Sequence, residues 1–382
     1  MKIVYIIYSI SNLTGIERMF VSQMNFLAEH YGDDVTLLTY DQGDAADGYP
    51  LSEKVNHLDF NIKKFHIYRY PRCIHPLVLW KWNRKLRRCI TSTVTDLNPD
   101  IVVCSSYEIS EMRIVLSLKH VKRVVQIHSS YLQSGGGFRT RHIEKSIVLW
   151  YKRNILFHRI VGLVHRFDKI VTLTQGDAEL WNSPKVSVIP NSLVIKSSIG
   201  HVVREKKVVA VGSLLMVKGF DMLLEVWRKI YRKHMDWHLE ITGEGLDESY
   251  LLEQMSDMPN VRILPRTRDI ADRYLSGEIF AMTSRFEGFG LVLLEAMSFG
   301  LAPAAFDCDF GPREIITEGV DGFLVPVGDI DRMAERIEYL MDHDNVRHQM
   351  AAAAVEKSKI YHPDKIMPQF EQLYKSLIEP VV

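Results

Sequence analysis

Ile279-Phe280-Ala281-Met282-Thr283-Ser284-Arg285-Phe286-Glu287-Gly288-Phe289-Gly290-Leu291-Val292-Leu293-Leu294-Glu295-Ala296-Met297-Ser298-Phe299 reads as a short buried strand, a bend and an apolar helix in succession. The run from Ile279 to Thr283 is apolar, Gly288 and Gly290 allow a tight bend, and Leu291 to Phe299 repeats apolar residues at helical spacing. A strand feeding a helix in this way is the repeating unit of a parallel α/β sheet. The helix start leaves backbone N–H groups without intrahelical partners, which makes it a seat for a phosphate or diphosphate. Glu287 and Glu295 stand eight positions apart around that seat, a span of about 12 Å if all of it were helical. That is the reach of a sugar-diphosphate-ribose unit. Carboxylates repel a diphosphate, so the pair makes sense only if each acid faces hydroxyls, one at either end of a nucleotide sugar.

The same alternation runs outward in both directions. In the first half, Ile3–Tyr8, Val35–Tyr40, Ile101–Ser105, Val124–Ile127 and Ile170–Thr174 read as strands, with amphipathic stretches such as Glu17–Tyr31 and Leu77–Leu97 between them. In the second half, Val208–Val211, Trp237–Thr242, Val261–Leu264, Ile279–Thr283 and Ala302–Phe306 are strands. Phe220–Lys233, Leu246–Met255, Ile270–Leu275 and Leu291–Phe299 are helices, and helical patterns continue from Asp331 through Ser358 and after Pro363. The fold class is α/β: two doubly wound, Rossmann-like domains facing a central cleft, into which both sheets point their carboxyl ends. The domains expected are 1–195 on the acceptor side, 196–360 for the nucleotide sugar, and a helix in 361–382 packing back on the first domain. The polar, aperiodic Lys196–His201 is the connection, and Gln133–Phe138, followed by Arg139 and Arg141, is a loop.

Composition sets the class. The 382 residues are 47% hydrophobic and 25% charged, as in ordinary globular proteins. Net charge is zero, yet residues 1–195 hold 25 Lys+Arg against 17 Asp+Glu, a net of +8, and the remainder is −8. The split suits a first half that meets an anionic surface, or two lobes of opposite sign. Cys73, Cys89, Cys104 and Cys308 have neither metal nor disulfide spacing. The apolar run Ile3–Tyr8 is too short for a signal or membrane span, so a cytoplasmic location is expected, peripheral at the inner membrane face. Tyr68–Arg88 mixes aromatic and cationic residues, as do stretches that lie on anionic membranes. No nucleic-acid motif accompanies the charge.

The second half resembles the retaining glycosyltransferase family 4, which has the two-lobed GT-B fold. The likeness rests on an ordered series over residues 185–345: Ile189-Pro190-Asn191, Val211-Gly212, Lys218-Gly219-Phe220-Asp221, Ile241-Thr242-Gly243-Glu244-Gly245, Ser284–Glu295, Gly311-Pro312-Arg313-Glu314-Ile315-Ile316 and Gly319–Pro326. The first half is similar more loosely, through Gly15-Ile16-Glu17-Arg18 and Gln126-Ile127-His128. The resemblance implies transfer of a sugar from a nucleotide donor to an acceptor with retention of anomeric configuration, without a cofactor or an essential metal. It implies that Glu287 contacts the donor sugar and Glu295 the ribose hydroxyls. The backbone around Gly288, Phe289, Gly290, Leu291 and Val292 would face sugar and diphosphate, and Lys218 would neutralise the leaving group. Gly15 and His128 would line the cleft, Gly15 on the acceptor side and His128 as a catalytic residue with Glu287 and Lys218, in contact with the donor sugar.

Departure of a nucleoside diphosphate builds negative charge, which cations and helix N–H groups must stabilise when no divalent metal does. Lys218 suits this better than a role as a solvated lysine, because a cation at a helix start is mildly unfavourable. Where the family carries an arginine, this chain has Ser213, which supplies a hydroxyl but no charge. Arg266, Arg268, Arg285, Arg313 or a basic residue reaching across from the first half is expected to compensate. Gly243 sits where a turn approaches the nucleotide, although Gly-X-Gly serves a plain turn equally well. Asp307-Cys308-Asp309 has the spacing of a metal-diphosphate motif from another glycosyltransferase fold, but three-residue coincidences are common, and no metal is expected. The donor expected is a nucleotide-diphospho-sugar, UDP-linked, and the acceptor a glycan or lipid-linked glycan. A non-catalytic binding homologue of the same fold is the alternative, and an epimerase of similar architecture is a weaker one. A nicotinamide oxidoreductase is disfavoured, since no Gly-X-Gly-X-X-Gly follows the first strand.

Overall fold

A computed structural model describes residues 1–12, 14–128, 131, 147–195, 204–267 and 269–379. The connection Lys196–His201, the loop Gln133–Phe138 with Arg139 and Arg141, and Arg268 lie outside the described residues.

The first sheet has seven parallel strands, β1 (Lys2–Ile6), β2 (Asp34–Thr39), β3 (Val55–Asp59), β4 (Ile101–Ser105), β5 (Lys122–Gln126), β6 (Lys169–Thr172) and β7 (Val186–Val188), in the order β3-β2-β1-β4-β5-β6-β7. Helices α1 (Gly15–Phe26), α2 (His75–Leu97), α3 (Ile109–Val115), α4 (Ile147–Val164) and α5 (Gln175–Trp181) connect them. The second sheet has six parallel strands, β8 (Lys207–Val211), β9 (His238–Thr242), β10 (Val261–Leu264), β11 (Ile279–Met282), β12 (Ala302–Phe306) and β13 (Phe323–Val325), in the order β10-β9-β8-β11-β12-β13. Its helices are α6 (Phe220–Ile230), α7 (Glu248–Gln254), α8 (Ala271–Ser276), α9 (Leu291–Ser298), α10 (Pro312–Ile315), α11 (Ile330–Asp342) and α12 (Asp344–Ser358), and α13 (Pro363–Ile378) follows.

Both sheets are covered by helices on both faces, so their central strands are apolar throughout rather than alternating. Every residue of β4, β11 and β12 is buried. Strand order reverses between β1 and β4 in one sheet and between β8 and β11 in the other. These are the points at which a doubly wound sheet opens a crevice at its strands' carboxyl ends. The two crevices face each other and form the cleft described below.

Helix α13 crosses back to the first lobe. Tyr374, fully buried, takes hydrogen bonds from the amides of Gln23 (2.9 Å) and Gln126 (3.2 Å), and its hydroxyl lies 3.3 Å from that of Tyr5. Ile366, Met367 and Phe370 bury against the same apolar layer as Ile3 and Tyr5 of β1. That layer is contiguous with Phe280 and Leu293 of the second lobe.

Candidate active site

Glu287, Lys218, His128, Glu295, Gly288, Phe289, Gly290, Leu291, Val292, Gly243, Ser213, Arg266 and Gly15 all line one interdomain cleft of about 990 Å³. They come from loops at the carboxyl ends of strands, plus the opening turns of α1 and α9.

Helix α9 is capped by Gly290 at φ +98°, a left-handed conformation that favours glycine, and no side chain caps its first turn. Its N–H groups therefore remain available to an anion. Phe289 buries its ring against Tyr361, with centroids 5.6 Å apart, so only its backbone belongs to the cleft.

Lys218 precedes Gly219, whose φ is +66° and where an added Cβ would lie 1.9 Å from the carbonyl oxygen of Thr283. That close approach lays the β8–α6 loop against the end of β11. It brings Lys218 Nζ to 2.7 Å from Glu287 Oε1, which also accepts from Ser284 Oγ at 2.7 Å. Glu287 is buried and Lys218 half-buried, so the pair is shielded from solvent. Gly243 and Gly245 do similar work: a Cβ there would fall 1.9 Å from the Gly212 oxygen and 2.3 Å from the Leu214 oxygen. The Gly-Glu-Gly turn thus lets two loops pack directly at the cleft floor.

Glu295 lies on the buried face of α9, at 2% exposure, where an unpaired carboxylate is costly. It accepts from Tyr274 Oη at 2.9 Å and from the Arg18 guanidinium, which reaches across from α1. Burial pushes the Tyr274 hydroxyl well above its ordinary range, which keeps it a donor. Arg18 stands 6.0 Å over the Tyr49 ring, and its Nε has no described partner. Beside this contact, a Cβ on Gly15 would come to 3.2 Å from Leu291 Cδ1, so α1 and α9 meet end to end. Thr14 caps α1 by accepting from the Glu17 N–H at 3.4 Å.

His128 follows β5, with its ring 5.1 Å from that of Phe20. Both ring nitrogens are buried without a described hydrogen-bond partner, and burial pulls the pKa down to about 4. The imidazole is therefore neutral at physiological pH. It is no cation for a leaving group.

Two of the cations expected to stand in for the missing charge at Ser213 are committed elsewhere. Arg285 closes a fork on Asp221 at 2.8 and 2.9 Å and donates to the Met216 carbonyl at 2.6 Å. Arg313 closes a fork on Asp307 at 2.8 and 3.0 Å. A guanidinium paired in this bidentate way has little left to offer a diphosphate. Ser213 itself is exposed. Arg266 is exposed in the cleft and forms no ion pair with a described residue. The remaining cation is Arg18, of the class expected to cross from the first half. Its link to Glu295 spans 277 positions, which no local pattern encodes.

Among the described residues no group of three His, Cys, Asp or Glu is placed to hold a metal. Glu314 reaches the first lobe instead, accepting from the Gly176 N–H at 3.2 Å.

Residues 193–357 match the family model for glycosyl transferases group 1. An uncharacterized glycosyltransferase of Haemophilus influenzae is 28% identical over 384 residues, covering 97% of this chain and 99% of that protein. The amylovoran biosynthesis glycosyltransferase AmsD of Erwinia amylovora is 24% identical with the same two coverages. A crystal structure of a Staphylococcus aureus TarM mutant in complex with UDP, fondaparinux and α-GlcNAc-glycerol superposes with a TM-score of 0.75. It is 15% identical, with 98% of this chain and 99% of that one covered. Relatives matched along their length and the architecture agree: the chain is a glycosyltransferase of the GT-B fold, and its residues 193–357 are similar to the glycosyl transferases group 1 family.

Proposed function

We propose that the protein is a retaining glycosyltransferase of family 4 that moves a sugar from a UDP-linked donor to a glycan or lipid-linked glycan, in the synthesis of a cell-surface polysaccharide. One observation carries this reading: Glu287 and Glu295, both buried, flank the uncapped amino end of α9 inside a single interdomain cleft. In this assignment the diphosphate lies against that helix end, Glu295 holds the ribose hydroxyls, Glu287 the donor sugar, and Lys218 the leaving group. The AmsD relative is named for polysaccharide synthesis and the TarM neighbour holds UDP, which supports the substrate classes proposed.

The bond between the anomeric carbon and the β-phosphate oxygen breaks with its electron pair staying on that oxygen. The acceptor hydroxyl oxygen bonds the same carbon from the same face, and its proton passes to the departing phosphate. Lys218 and the α9 N–H groups are pre-oriented for the charge that develops, which is the most productive use of fixed dipoles. Neither cofactor nor metal enters this scheme. His128, neutral, packs at the edge of the sugar site. Glu295→Ala should abolish donor binding in calorimetry, and unchanged affinity would remove the ribose assignment.

A second feature supports an acceptor held at a membrane surface. Tyr68 (71% exposed), Leu77 (66%) and Trp80 (58%) stand out of α2 and the segment just before it, among exposed Arg69, Arg72, Lys81, Arg84 and Arg88. Trp82 turns partly inward, and Leu86, Ile90 and Val94 anchor the helix to the core. Such a face suits an anionic lipid surface. No helix among the described residues is long and apolar enough to cross a membrane, so contact would be peripheral.

The uncharged Ser213 favours a weakly active or purely binding homologue as a second reading. Release of UDP from UDP-sugars in the presence of candidate acceptors separates the two, since a binding homologue releases none.

A further inference from the structure

We propose that Arg18, from the first lobe, supplies the second cation of the donor diphosphate site, taking the role that charge at position 213 would have filled. The inference rests on the nucleotide-sugar reading above and deepens it.

Two of the acids that line the cleft are matched one to one with two of its cations. Glu287 is bonded to Lys218 at 2.7 Å, and Glu295 is bonded to the Arg18 guanidinium. The side chains of Arg18, Glu287 and Glu295 are 13%, 9% and 3% exposed, so neither pairing is a loose surface contact. A buried charge stripped of its partner is strongly unfavourable. A donor brings what all four groups need if they exchange partners. Its ribose and sugar hydroxyls are donors for the two carboxylates, and its diphosphate carries two negative charges for the two cations. With the donor bound, Lys218 and Arg18 face phosphate while Glu287 and Glu295 face hydroxyls, and no buried charge is orphaned.

The alternatives are weaker on the same grounds. Arg285 and Arg313 are forked onto Asp221 and Asp307. Arg266 is exposed and engages neither acid, so donor entry frees nothing from it. Arg18 alone is released by the event that requires it. Arg18 lines the cleft, and its Nε is buried without a described partner, so the guanidinium has unused donor capacity. Glu17, next in the chain, is held through Oε1 by Asn12 at 2.9 Å and forms no ion pair with Arg18.

The exchange makes Arg18 act in opposite directions on two ligands. It competes with a nucleoside for Glu295 and attracts a nucleoside diphosphate. Calorimetry with UDP, GDP and ADP, each set against its own nucleoside, reads both effects on the full chain. In Arg18→Gln, affinity for the best nucleoside diphosphate should fall ~10- to 100-fold, the worth of one charge-assisted hydrogen bond, while its nucleoside binds equally or more tightly. Arg18→Lys should recover part of the loss, and Arg266→Gln should change either affinity less than ~3-fold, as for an exposed rim charge. A parallel fall in both ligands would mark Arg18 as merely structural and overturn the proposal, as would undiminished diphosphate binding in Arg18→Gln. So would a loss confined to Arg266→Gln. If the unaltered chain binds none of the diphosphates, the glycosyltransferase site assignment fails first and takes this inference with it.

Discussion

His128 carries an imidazole whose nitrogens are buried with no described partner, and the charged form suffers for it. Unfolded, the ring titrates at its ordinary 6.5; folded, it titrates at about 4. Between those values the unfolded chain binds a proton that the folded chain does not, so stability rises with pH across the window and is lost as pH falls through it. One proton gives a slope of about 1.4 kcal/mol per pH unit, or about 3 kcal/mol in all. Denaturation midpoints of the wild type and His128→Asn, followed from pH 7 to pH 4, should therefore converge toward acid pH by that amount. Parallel curves would show the ring to be solvated. At this scale the site residues were readable because most sit in loops at strands' carboxyl ends or in α1 and α9, several of them beside glycines that admit close approach. What they bond to was not readable. Arg18 was visible as a residue, but its partner Glu295 is brought near only by the docking of two separately wound sheets.

Among the elements, the β8–α6 loop is the most demanding. Gly219 has both a left-handed φ and a carbonyl oxygen 1.9 Å from where a Cβ would stand, whereas Gly328 has φ +85° and open space around it. Gly219→Ala should cost about 3 kcal/mol or more, strain and overpacking together, against about 1 kcal/mol for Gly328→Ala. Thermal melts of the two variants test this, and equal shifts would refute the packing argument. The interior strands were legible as apolar runs because burial on both faces leaves them few polar positions, such as Glu240 in β9. The edges were not. Strands β3, β7 and β13 lay outside the expected set: β7 and β13 have only three residues each, and β3 leaves Leu58 45% exposed. The helical pattern expected from Asp331 through Ser358 is two helices, broken at His343, where φ is −123° and ψ 77°.

At the level of the whole molecule, charge is distributed by lobe, +8 over residues 1–195 and −8 over the rest. If the α2 face rests on lipid, the chain should co-sediment with vesicles containing an anionic phospholipid and not with purely zwitterionic ones. Binding should fall as salt rises from ~0.1 to ~0.5 M, where the screening length drops well below 10 Å. Replacing Leu77 and Trp80 together by Ser should lower partitioning by at least about tenfold, given ~1.5–3 kcal/mol for each apolar side chain fully removed from water. Vesicle binding indifferent to both salt and these substitutions would exclude this face.

Helix α13 has a consequence for how the protein is made. The seat formed by Tyr5, Gln23 and Gln126 belongs to the lobe synthesised first, yet the residue that fills it, Tyr374, is translated only after the whole second sheet. At ~5–20 residues per second, the nascent first lobe waits ten seconds or more, by the same rates, with that apolar and amide-lined recess open. Vectorial folding, lobe by lobe, cannot be completed in this architecture, and the interval is a window in which a ribosome-associated chaperone would find its target.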